Sequence, residues 1–100
     1  VNDFAAHVAR EARLRILKEL ARQTDGRASE LALRTTLDIY GIKRDRDWIA
    51  TQLRKLEQLD AISIAMLGPT MVATITRTGL DHVDERSVIE GVARPREIEE

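Results

Sequence analysis

The chain has no cysteine, which removes disulfides, thiolate metal sites and thiol nucleophiles together and fits a reducing compartment. Aromatic side chains are nearly as scarce. Phe4, Tyr40 and Trp48 are the three present, so a core must be assembled from Leu, Ile, Val and Ala, which suits packed helices better than a large sheet. No apolar run approaches the roughly 20 residues that span a bilayer, and the first residues lack the basic-then-apolar order of a signal peptide. A cytoplasmic protein without a membrane segment is expected. There is no glycine-rich phosphate loop and no Ser-His-Asp arrangement, so the chain does not read as an enzyme, and no cofactor is expected. An excess of one charge is also missing: 16 basic against 17 acidic side chains leave a formal net charge of −1.

What is present is a 43% hydrophobic composition over 100 residues, enough for one domain with a single core and too apolar for a disordered chain. The charges are unevenly spread. Residues 1–59 hold 12 Lys and Arg against 9 Asp and Glu, whereas residues 60–100 hold 4 against 8. Any positive surface therefore belongs to the first part of the chain.

Residues 3–23 place Ala9, Ala12, Ile16, Leu17 and Leu20 in one sector at helical spacing, with Arg10, Arg15, Lys18 and Arg22 largely outside it, which predicts a long first helix ending at the turn residues Asp25 and Gly26. Ser29 is a natural N-cap for a second helix carrying Leu31, Leu33, Leu37 and Tyr40, and Gly41 stands where a left-handed residue closes a helix. Asp45 can cap a third helix to about Leu59, with Ile49, Leu53 and Leu56 on its core side and Asp60 closing it. "AISIAML" and "MVATITR" flank "GPT" and predict a β-hairpin. A short final helix is expected from a Thr78 cap through Leu80, Val83, Val88 and Ile89. Residues 1–90 then form the domain, and 91–100, with Pro95 and several acids, read as an extended or flexible tail.

Helix, helix, helix, strand, strand, helix is a mainly α arrangement with a small β-hairpin, the order of a winged helix-turn-helix. Three stretches sharpen this. "RLRILKEL", from Arg13 to Leu20, resembles the first core helix of arsenic-repressor-class regulators. "LRKLEQLDAISI" resembles the join of recognition helix and wing in that class and in multiple-antibiotic-resistance regulators. "ATITRTGLDHV" resembles the second wing strand and its step into the last helix, here through Ile75, Thr76 and Gly79. The whole chain is also similar to small winged-helix proteins of Mu-like bacteriophages. These resemblances imply a DNA-binding transcriptional regulator, phage or prophage encoded, whose third helix from about 45 to 59 reads the major groove of double-stranded DNA.

On that expectation the DNA-binding residues are Arg44, Arg46, Ala50, Thr51, Arg54 and Lys55. Arginine can bond two acceptors on guanine, threonine can touch a thymine methyl or a phosphate, and Ala50 would let the helix lie close. Arg44 and Lys55 suit phosphate contacts. Asp47, on the same predicted face, opposes phosphate. Two copies reading two half-sites are expected, since one short helix gives little specificity alone. The resembled repressors place their dimer surfaces on the first and last helices, here Phe4, Ala5 and Val8 with Val83, Val88 and Ile89. The alternative is a protein-interaction module on the same scaffold, in phage assembly or partner binding. The net charge, Asp47 and a wing tip, "MLGPTM", without Lys or Arg all favour it. Trp48 is expected to pack against neighbouring helices rather than mark a partner patch. Asp81, His82, Asp84 and Glu85 crowd the sequence but do not share one helix face, so no metal site is expected.

Overall fold

The computed structural model describes residues 3–97. Its elements are α1 (Asp3–Arg22), β1 (Arg27–Ser29), α2 (Glu30–Ile39), α3 (Arg46–Gln58), β2 (Ile62–Leu67), β3 (Thr70–Ile75) and α4 (Arg77–Val83), followed by a single 3-10 turn at Pro95–Glu97. The expected helices and hairpin are present, with an additional strand. Arg27–Ser29 pairs antiparallel with β3, Ser29 opposite Val72, so the sheet runs β1-β3-β2.

The helix ends are set by local chemistry. The Ser29 hydroxyl accepts from the Ala32 N–H at 3.2 Å and the Asp45 carboxylate from the Trp48 N–H at 2.9 Å, each satisfying a first-turn donor that has no helical acceptor. The same reversal closes α2 and α3. In α3 the Asp60 N–H returns to the Glu57 carbonyl and the Ala61 N–H to the Leu56 carbonyl, both at 3.0 Å. This double closure requires a left-handed residue, supplied by Gly41 after α2 and by Asp60, at φ 61°, after α3.

α4 corrects the expected cap. Thr76, not Thr78, accepts from the Gly79 N–H at 3.2 Å, while its own hydroxyl donates to the Asp60 carbonyl at 2.6 Å. The helix ends at Val83, so Val88 and Ile89 lie beyond it.

The core is aliphatic, as the shortage of aromatics requires. Leu14, Ile16, Leu17 and Leu20 of α1 meet Leu33 and Leu37 of α2 and Ile49, Leu53 and Leu56 of α3, with Ala61, Ile62, Met71 and Ala73 closing it from the sheet. α1 touches α2, α3, α4, β1 and β3, so more than one stripe of it is covered. That is why Leu14 is buried and why Arg15, expected on the polar side, is buried too. The Arg15 guanidinium lies 3.9 Å from the centre of the Tyr40 ring, an arrangement that offsets part of the cost of removing the charge from water. Leu31, expected to be a main apolar residue of α2, is exposed instead.

The stretch expected to form a tail from 91 onward is packed as far as Glu97. Val92 and Ala93 are buried, and the Ala93 N–H donates to the Arg10 carbonyl at 3.2 Å. Pro95–Glu97 makes its turn beside α1, where the Arg94 N–H above all, then the charges of Arg10 and Arg94, hold the Glu97 carboxyl below its ordinary range. The rest of the expected tail, 98–100, lies outside the described residues.

Candidate nucleic-acid interface

α3 has two sides because its hydrophobic spacing is helical. Ile49, Leu53 and Leu56 are fully buried, while Asp47, Thr51, Arg54, Lys55 and Gln58 are exposed. Thirteen residues at 1.5 Å each make a rod of about 20 Å, long enough to lie across several base pairs of a major groove.

The hairpin stands beside this helix. Arg46, Asp47, Ala50 and Arg54 of α3 face Met66, Pro69 and Met71 across a groove of about 220 Å³, which Glu30 also lines. The exposed side of α3 therefore has an inner flank toward the wing and an outer ridge carrying Thr51 and Lys55.

The expected contact residues divide on this geometry. Arg54 and Lys55 are exposed, and no ion pair or hydrogen bond engages their side chains among the described residues. Thr51 is exposed with its hydroxyl donating to the Asp47 carbonyl one turn back at 3.0 Å. The Arg44 guanidinium lies 5.2 Å from the centre of the Trp48 ring, which keeps it at the mouth of α3 with its charge in water. Trp48 itself packs partly buried against the core. Ala50 is only 8% exposed. The hairpin folds over it, so it floors the groove rather than letting the helix ride close to a ligand.

Arg46 is held. Its Nε donates to the Glu30 carboxylate at 2.9 Å and an Nη to the Pro69 carbonyl at 3.0 Å. It thereby joins the first residue of α2, the first residue of α3 and the wing tip. Glu30 is largely buried, so the charge-assisted bond also answers for a carboxylate withdrawn from water. No spacing in the sequence announces this clamp, since its partners are 16 and 23 residues away. Arg46→Met is expected to lower stability by about 1–2 kcal/mol, discounted for the exposed guanidinium, whereas Lys55→Ala leaves it nearly unchanged. Thermal unfolding followed by circular dichroism separates the two. Equal midpoints would remove the clamp.

Arg34, which the sequence reading did not single out, is exposed on α2 and lines a second depression with Leu31, Arg46 and Pro69. Its signal was available, as a cation on the polar side of the helix preceding α3.

Of the expected dimer residues, Phe4, Ala5 and Val88 are exposed, Val8 and Val83 are half-buried, and Ile89 is buried within its own chain. His82 is not placed for metal ligation, because both ring nitrogens are engaged by backbone at 2.9 and 3.0 Å. No helix among the described residues is long and apolar enough to cross a membrane.

A helix-turn-helix whose second helix, α3, has an exposed side, followed by a hairpin completed by a strand from between the first two helices of the chain, is a winged helix-turn-helix. The chain is 31% identical over 96 residues to a protein of Escherichia phage Mu described as "Uncharacterized protein gp26", with 96% of each chain covered, and it belongs to that phage protein's family. No family model and no solved structure matches it.

Proposed function

We propose that this is a phage- or prophage-encoded transcriptional regulator, non-enzymatic and working in the cytoplasm, which lays α3 in the major groove of double-stranded DNA. The observation that carries the reading is the pair Arg54 and Lys55, exposed on α3 and engaged by no hydrogen bond or ion pair among the described residues. Arg54 has the fork needed to pair with a guanine edge, Lys55 and Arg44 suit phosphates, and Thr51 offers its methyl group to thymine. Arg46 contributes through the clamp, by holding helix and wing in one register. A dimer through the first helix and the C-terminal region, where Phe4 and Val88 are exposed, would supply the second half-site roughly 34 Å away.

The second reading is a protein-interaction module without DNA binding, and Asp47 supports it. This carboxylate is exposed in the first turn of α3 beside the cations, where it would repel a phosphate.

Electrophoretic mobility shift with mixed-sequence duplex DNA tests both. The first reading gives binding at about 50 mM salt that weakens tens-fold by about 200 mM, as neutralising roughly three phosphates requires. Arg54→Ala with Lys55→Ala is expected to cost tenfold or more and, through the lost Lys55 phosphate contact, to flatten the salt slope by about one unit, while Asp47→Asn gains several-fold. No shift of any duplex by the wild-type chain at the lower salt would sink the DNA reading.

A further inference from the structure

The wing tip is the wrong chemistry for a phosphate contact. From Met66 to Met71 it carries no charge, and the two large side chains it presents, Met66 and Leu67, are 56% and 58% exposed. Leu67 pairs with Thr70 across a two-residue loop of Gly68 and Pro69, and Gly68, at φ 62°, supplies the left-handed backbone that so tight a reversal needs. Such a tip is ordinarily free to bend away. Here Arg46 fastens it, through the Pro69 carbonyl at 3.0 Å, to the start of α3, and through Glu30 to the start of α2. The apolar tip is thus a fixed projection, and Met66 and Arg54 line the same groove.

Resting on the DNA-binding reading, we propose that the tip is an apolar wedge, with Leu67 entering the base stack from the minor groove beside the site read by α3, so that the protein kinks its DNA. With α3 in the major groove the hairpin stands over adjoining DNA. The tip's own side chains bring the Thr70 hydroxyl and no cation, since Arg34 and Arg46 beside Pro69 belong to α2 and α3, and two apolar side chains set against a polyanion gain nothing unless they reach apolar surface. The faces of stacked base pairs are such a surface, and side chains of the Leu, Met and Pro type are used in this way at kinks. A wedge must be braced against the force that recloses the stack, and the Arg46 clamp braces it. The preferred substrate is then duplex DNA with a flexible pyrimidine–purine step at the wing position, where unstacking costs least.

The test uses the full chain and a duplex of about 30 base pairs with a TA step, labelled at its ends for energy transfer and bound at low salt. The step is placed at successive positions, and 2-aminopurine within it reports unstacking. The wedge requires that wild-type binding shorten the end-to-end distance and brighten 2-aminopurine at one position. Met66→Ser with Leu67→Ser, both at exposed sites, is expected to keep the unfolding midpoint and to bind within about threefold, because the cations remain, but to leave the duplex straight. Straight DNA under the wild-type chain, the result of a tip that docks a protein instead, overturns the wedge alone. Bending by the double variant equal to wild type does the same. Failure of the wild-type chain to bind any duplex overturns the wedge together with the reading it rests on.

Discussion

Gly79→Ala is expected to destabilise the fold by about 1–3 kcal/mol net, a fall of roughly 5–20 °C in the unfolding midpoint for a domain of this size. The sign is not obvious from helix chemistry. Gly79 lies within α4 and needs no left-handed backbone, so alanine gains about 1 kcal/mol of helix propensity. Space decides against it. A Cβ built there falls 2.4 Å from the Ala61 carbonyl oxygen and 2.8 Å from Ile75 Cγ1. The carbonyl is not free to retreat. The Ala61 carbonyl accepts the Thr76 N–H at 3.0 Å, and the Ala61 N–H is bound to the Leu56 carbonyl at the close of α3. Relief therefore means breaking the start of α4 away from the join of α3 and β2. That join sets how the wing stands against α3. Thr78→Ala, one residue earlier and exposed, is expected to change stability by no more than about 0.5 kcal/mol. Thermal and urea unfolding of the three proteins checks the contrast, and a Gly79→Ala variant as stable as wild type would show that the close approach does not exist.

The glycine also shows what kind of information the sequence carries. Much of the helix cores was legible because burial on one side leaves a 3.6-residue period. Ile16, Leu17 and Leu20 of α1, Leu33 and Leu37 of α2 and Ile49, Leu53 and Leu56 of α3 followed it, whereas Leu31 and Tyr40 are exposed and Leu14 is buried. The caps Ser29 and Asp45 and the reversals at Gly41 and Asp60 were legible because they satisfy neighbours in the chain. Features made by distant pairing were not. β1 is three residues long and exists through its bonds to β3, 43 to 47 residues away by the register Arg27 to Thr74 and Ser29 to Val72. Thr76 and Thr78 are equivalent as caps by type, and the choice of Thr76 is settled by its hydrogen bond to the Asp60 carbonyl. In the candidate interface the outward cations Arg54 and Lys55 followed from the helical wheel. The withdrawal of Ala50 under the hairpin and of Arg46 into the Glu30 and Pro69 clamp did not, because both depend on where the wing folds back. A helical wheel assigns a direction to a side chain and says nothing of what another element places there.

The second large effect is expected at His82, which is 1% exposed. The Ile89 N–H, which can only donate, reaches Nδ1 at 3.0 Å, so Nδ1 is unprotonated and Nε2 carries the hydrogen donated to the Ala93 carbonyl at 2.9 Å. One ring thus fixes both ends of the stretch that returns the chain to α1. That stretch has a second anchor in Arg13, whose Nη1 donates to the Gly91 carbonyl at 2.8 Å and whose Nε donates to the Gln52 side-chain oxygen of α3 at 2.9 Å. Burial, then the nearby charge of Arg10, lowers the Arg13 pKa from its ordinary value, but a guanidinium remains a donor throughout the working range of pH. His82→Leu, similar in bulk, strands two buried backbone groups at about 1–3 kcal/mol each, for a loss of roughly 2–5 kcal/mol. Asparagine sets an oxygen near the place of Nδ1, and glutamine sets an amide nitrogen near the place of Nε2. Each is therefore expected to keep one bond and to lose about half as much as leucine. Amide hydrogen exchange gives the site-specific readout. Leucine should speed exchange at both Ile89 and Ala93, asparagine should protect Ile89 better than glutamine does, and Gln52 should lose order as Gly91 moves away from Arg13. Slow exchange at Ile89 in the leucine variant would show that His82 is merely filling space.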